Sequence, residues 1–228
     1  TDFRSIRFMR MFLTEFDDPI VLRFAKLELV RGEWRRFPFV LDDIRENVPV
    51  DENDGTNFNV NAVNLEENGG RVPIPYVLPP DIERQQVYGG TQIIQQNEQS
   101  MSLEVCGLKD GDARAVFRNF NFDMRMYKRL KMFVHVESGG DFDNLEDGDL
   151  SIFVRLGSDY NGNYYEYEVP MRVSEWGALL PEEIWPVDNN IDLVFEDLKT
   201  LKLARNAAME TDPTLSLTNK YSVTTPEG

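Results

Sequence analysis

Histidine and cysteine are almost absent: the 228 residues hold one of each, His135 and Cys106. Zinc centres draw several ligands mainly from these two residue types, so a Cys/His zinc site of the usual ligand count is excluded within the chain. A Cys/His or Ser/His/Asp catalytic centre would have to be built on His135. That residue lies in Lys131-Met132-Phe133-Val134-His135-Val136, an alternating pattern that reads as a strand histidine with no catalytic task. Cys106, in Leu103-Glu104-Val105-Cys106-Gly107, reads as a buried structural thiol, and alone it forms no internal disulfide. Walker A, dinucleotide and HExxH patterns are missing too, and the pairs Gly69-Gly70, Gly89-Gly90 and Gly139-Gly140 read as loop punctuation. No apolar run approaches the ~20 residues of a membrane-spanning helix. The opening Thr1-Asp2-Phe3-Arg4 has no basic-then-apolar leader, which suggests an excised piece or a mature product. Bases are scarce, 24 against 40 acids for a net charge of −16, which argues against nucleic acid and anionic lipid as main partners. No catalytic residue, cofactor or metal ligand is nominated, and the expectation is a protein that is not an enzyme.

What is present reads mainly as strands. Ile6–Leu13, Val21–Leu29 and Trp34–Phe37 form a β-meander by pattern over residues 1–40, with a phase shift at Ala25 that suits a bulge. Residues 41–100 hold eleven acids and three arginines and read as an irregular connection with one strand embedded near 56–65. Within it, Val72-Pro73-Ile74-Pro75-Tyr76-Val77-Leu78-Pro79-Pro80 is neither helix nor central strand, because each proline lacks an amide donor. It should run extended, as a linker, along the domain's surface or docked on a neighbour. Ile74, Tyr76, Val77 and Leu78 are the candidate partner-docking residues.

From Gln99 strands resume at 102–107, 114–120, 129–137, 150–157 and 164–173. Short strands parted by turn clusters predict an antiparallel β-sandwich, jelly-roll-like, over 101–208. Tyr165, Tyr167 and Val169 alternate with Tyr164, Glu166 and Glu168, and the aromatic face reads as core rather than as a sugar platform. One helix is expected at 191–208, from the stripe Ile191, Val194, Leu198, Leu201, Ala204 and Ala208. Asp188, Asn189 or Asn190 would cap it, with acids early and Lys199, Lys202 and Arg205 late. Residues 209–228 read as a tail. Glu137, Asp141, Asp143, Glu146, Asp147 and Asp149 make an acidic loop without a base, but Glu146 stands where the calcium-loop pattern counted from Asp141 needs glycine. A solvated acidic connection without a tight calcium site is expected.

Six stretches carry a family resemblance: Ile6–Phe37, Val63–Arg84, Gln96–Phe117, Tyr127–Glu137, Tyr164–Met171 and Leu201–Asn206. Together, in order along nearly the whole chain, they resemble the SprA/Sov family of Bacteroidota cell-surface proteins, which serve gliding motility and type IX secretion. The resemblance implies a place in the cell envelope, at the outer membrane or cell surface, as one soluble fragment of a very large β-barrel translocon. Its partners would be other parts of the same protein, secretion-system subunits or secreted cargo. The chain lacks the repeated ~10-residue amphipathic strands with aromatic girdles that a barrel wall needs, so this fragment is not expected to span the membrane. The family motifs are not catalytic and bring no active-site residues. Independently of the resemblance, Trp176, Trp185 and Tyr160–Tyr167 leave open a carbohydrate-binding jelly roll.

Overall fold

The computed structural model describes residues 21, 34–41, 48–51, 53–89, 92–120, 123–140, 145–159 and 162–224. The chain divides into two compact units, Thr1–Glu33 and Trp34–Gly228. The strands expected at 6–13 and, apart from Val21, at 21–29 lie outside the described residues, and the elements named below all belong to the second unit.

Ten strands and three α-helices are described in chain order: β1 (Arg35–Arg36), β2 (Asn57–Asn64), α1 (Leu65–Asn68), β3 (Gln86–Gly89), β4 (Gln92–Gln95), β5 (Gln99–Cys106), β6 (Val116–Phe117), β7 (Arg129–Met132), β8 (Ser151–Gly157), β9 (Tyr164–Pro170), α2 (Pro181–Ile184), β10 (Ile191–Val194) and α3 (Phe195–Thr211). The regular elements are thus mostly strands, with a C-terminal helix. The strands pair antiparallel and two by two, as β1–β6, β2–β5, β3–β4, β7–β10 and β8–β9. Small ladders therefore stand where a two-sheet sandwich was expected. Prolines and long connections between strands limit how far each ladder extends.

The ladders follow the period-two pattern of their sequences. In β8–β9 the pairs Ile152↔Val169, Val154↔Tyr167 and Leu156↔Tyr165 share one face, while Arg155↔Glu166 lies on the other. Arg155 is salt-bridged to Glu166 at 2.6 Å and its guanidinium lies over the Tyr164 ring at 4.1 Å. The strand read near 56–65 is β2, and it pairs with β5 from Asn57↔Cys106 to Asn64↔Gln99. Beyond the Cys106 end, Gly107 takes φ +67°, and a Cβ there would stand 2.8 Å from the Gly55 carbonyl oxygen. Only glycine tolerates both conditions. Cys106 itself is exposed, not buried as expected: it shares a face of β5 with the half-buried Ser100 and Ser102 but stands at the strand's last position, where the chain turns away at Gly107.

Among the described residues two apolar cores result. In the first, Ile74, Tyr76, Ala178, Ile184 and Trp185 are buried, with Val63, Leu65, Val77 and Phe133 packed around them. The second gathers Val134, Val169, Met171 and Ile191, flanked by Val136, Ile152, Val154 and Tyr167. Burying one aliphatic side chain of this size is worth about 1.5–3 kcal/mol. Ile74, Ile184 and Ile191 are among the most completely enclosed. The extended run after β7 serves both cores: Phe133 turns to the first, Val134 and Val136 to the second. Successive side chains of an extended chain point to opposite sides, so one backbone can wall two interiors.

The helix begins later than the stripe suggested. Residues 191–194 form β10 against β7, from Ile191↔Met132 to Val194↔Arg129, and α3 opens at Phe195 behind the N-cap residue Val194. Ile191 and Leu193 are buried at 1% and 4% exposure, two residues apart as a strand requires. Lys199, Lys202 and Arg205 consequently lie mid-helix, since α3 runs on to Thr211 without a base in its last turn.

Asn189 does not cap a helix. It is fully buried, and its side chain holds the backbone of Arg172 from both sides: Oδ1 accepts from Arg172 N at 2.7 Å and Nδ2 donates to Arg172 O at 2.8 Å. This amide satisfies two buried backbone groups where the chain leaves β9. Replacing it orphans both, and an orphaned buried polar group costs roughly 1–3 kcal/mol. Asn189→Ala is expected to destabilise the protein by about 2–4 kcal/mol, read as a lower urea midpoint at unchanged slope in equilibrium unfolding. A midpoint equal to wild type would remove the clamp from the fold's account.

Candidate functional site

The proline segment packs into the first core and borders a surface groove. After β2, the short helix α1 is capped by Asn64, whose Oδ1 accepts from Glu67 N at 2.9 Å. The chain then turns, and Tyr76 N donates to Asn68 O at 3.0 Å. From there it runs extended into the first core. Ile74 is 0% exposed and Tyr76 7%, while Val77 and Leu78 are half-buried. Of the four candidate docking residues, two therefore belong to the protein's own interior, and the segment lies along its own domain. Val72 is the exposed apolar residue of the run, at 86%. Trp185 fastens the segment from the opposite side: its Nε1 donates to Val77 O at 3.1 Å, and its ring meets Tyr76 edge-on at 6.2 Å.

Beside this contact opens a groove of about 220 Å³. Its inner lining is aromatic, from Tyr76, Phe133 and Trp185, and Pro79, Ile82 and Met132 continue the apolar surface. Ile82 and Met132 are 38% and 37% exposed and form the rim. Glu98 and Ser100 supply the polar lining. Tyr76 Oη and Ser100 Oγ share a hydrogen bond of 2.7 Å. Among the described residues no cation pairs with the Glu98 carboxylate. Of the lining residues, Tyr76 and Pro79 are readable as proline-segment material and Met132 and Phe133 as strand. Their convergence is not, because it joins residues brought together from 76–82, 98–100, 132–133 and 185.

The lone histidine also lies against Trp185. The imidazole of His135 meets the indole edge-on at 5.8 Å. Its Nε2 stands 3.9 Å from Glu137 Oε2, too far for a hydrogen bond, and both atoms are buried without a hydrogen-bond partner. Glu137 instead pairs with Arg71. Burial pushes the His135 pKa down to about 4, assisted by the Arg71 cation. The ring is therefore neutral at pH 7, and its contact with Glu137 is not an ion pair.

The remaining candidate residues are dispersed. In the acidic loop, residues 141–144 lie outside the described residues. Glu137 holds Arg71, Asp147 Oδ1 accepts from Val173 N at 2.8 Å, and Asp149 Oδ2 accepts from Glu146 N at 2.9 Å. Among the described residues no group of three or more His, Cys, Asp or Glu side chains is disposed to hold a metal ion. Trp176 is 44% exposed and Trp185 is buried, Tyr167 packs against the second core, and Tyr160 is outside the described residues. No described helix is long and apolar enough to cross a membrane.

The buried imidazole makes stability depend on pH. Its ordinary value is 6.5 and its folded value about 4, so between those limits the unfolded chain binds a proton that the folded chain does not. The stabilisation is complete above about pH 6.5 and is lost as pH falls towards 4. It amounts to on the order of 3 kcal/mol. His135→Gln should flatten the wild-type fall in stability across this window, measured by urea unfolding at stepped pH. An unchanged slope would trace the acid sensitivity to other groups.

Residues 1–227 match the profile of a family described as motility related/secretion protein. No curated protein matches the chain.

Proposed function

The chain belongs to the SprA N-terminal family of motility related/secretion proteins, and from that premise we propose that it is a structural and interaction module of a cell-surface protein serving type IX secretion and gliding motility. It works at the outer membrane or cell surface, by contact with other parts of the same protein, with secretion-system subunits or with secreted cargo. The observation that carries this reading is the extent of the family match, from residue 1 to 227.

A role without catalysis is supported by the setting of the lone histidine. His135 is buried with its pKa lowered to about 4, and its ring is spent on Trp185 and faces Glu137. A general base is wanted near the operating pH and within reach of a nucleophile. The surface suits contacts instead. Val72, Leu179, Leu180 and Val187 are apolar and between 51% and 86% exposed.

The test is to delete residues 34–224 from the full-length protein and measure envelope assembly, cargo release and gliding. Loss of release and gliding is expected. In parallel, the purified chain should hydrolyse neither glycan nor peptide substrates. Normal secretion after deletion would remove the module from the export pathway, and turnover of any substrate would overturn the non-catalytic role.

A further inference from the structure

The groove next to the proline segment has a composition that selects its occupant. Its depth is aromatic, from Tyr76, Phe133 and Trp185, and its polar wall carries one carboxylate, Glu98. Aromatic faces attract cations within about 6 Å of the ring. Glu98 has no cationic partner among the described residues, and the chain as a whole carries −16. An anion would be repelled here, and a purely apolar group would leave the carboxylate beside it without a counterion. An apolar stem ending in a positive charge satisfies both surfaces, since lysine and arginine lay their methylenes on apolar walls and keep the charged head at a polar edge. The space of about 220 Å³ admits one such side chain and not a folded domain.

The surrounding backbone indicates what carries that side chain. The groove is lined from both β5, through Ser100, and β7, through Met132. Among the described residues β5 pairs only with β2 and β7 only with β10. Among the described residues each strand thus keeps one edge without a partner strand, and adding extended polypeptide to such an edge is a usual mode of peptide recognition by a sheet.

We propose that this groove is a binding site for a lysine or arginine side chain presented by an extended peptide segment of a partner protein, with Glu98 as counterion and the Tyr76–Phe133–Trp185 surface receiving the stem. The site stands on its own lining residues and goes beyond the role in secretion, so it holds or fails independently of that role.

The experiment titrates the full 228-residue chain by NMR with the peptide acetyl-Gly-Val-Lys-Val-Gly-amide and with analogues carrying arginine, norleucine or glutamate at the central position. The lysine and arginine peptides should bind saturably and more weakly as salt rises. Norleucine should cost about five-fold in affinity, and glutamate should abolish binding. Glu98→Gln should cost a similar factor while leaving the circular dichroism unchanged, because among the described residues no ion pair of the fold uses that carboxylate. Ile82→Arg, at the rim, should block the site with its own guanidinium. The proposal is overturned if no basic peptide saturates at millimolar concentration, if norleucine binds as well as lysine, or if Glu98→Gln binds like wild type. A chain that self-associates through the groove, with Ile82→Arg restoring the monomer, would overturn it equally.

Discussion

The fold depends on a single extended run, Phe133–Glu137, whose alternating side chains serve two interiors at once. Phe133 and His135 turn to the core that holds Trp185, and Val134 and Val136 to the core built on β8 and β9. Glu137 continues the first set and reaches Arg71, at the threshold of the proline segment. A slip of one residue would exchange the two sets, burying Glu137 in the apolar second core and turning valines to the indole. The cost of a buried unpaired carboxylate makes that exchange prohibitive. The register of this run therefore fixes what lies on either side of it, including the groove.

The strands most legible in the sequence are those whose two faces differ in polarity. β8 and β9 alternate cleanly and pair as their pattern requires, with Tyr167 and Val169 inward. β2 is visible through Phe58-Asn59-Val60-Asn61 alone. Residues 191–194 mislead because Ile191 and Val194 satisfy a helical step of three as well as they satisfy a strand end. The deciding interaction is the ladder to β7, from distant sequence that a local period does not contain. Cys106 illustrates the same limit: it shares a face of β5 with the half-buried Ser100 and Ser102, and its exposure comes from standing at the strand's end, which the local pattern does not mark.

The site is less legible than the fold. Prolines announce an extended segment correctly, but they do not reveal whether Ile74 and Tyr76 face outward or inward. The answer lies in Trp185, whose indole N–H reaches the Val77 carbonyl across the module. That bond needs a carbonyl left free of helix and sheet, which is what a proline-broken segment supplies. Buried polar groups follow the same logic elsewhere. Asn189 meets the backbone of Arg172, and Ser174 Oγ donates to the Ile184 carbonyl at 3.2 Å, so irregular chain is enclosed without losing its hydrogen bonds.

The pairing of the ladders has a consequence for how the protein is made. β3–β4 and β8–β9 join neighbours in sequence, whereas β1–β6, β2–β5 and β7–β10 join strands widely separated along the chain. Distant pairing is slow because the intervening chain must be closed into a loop before any contact rewards it. During synthesis β1 emerges long before β6, and β7 long before β10, so each waits with its edge unpaired. Such edges are templates for wrong partners. A chain of this topology is vulnerable during its birth rather than in its finished state, and a chaperone that shields single strands would act on β1, β2 and β7.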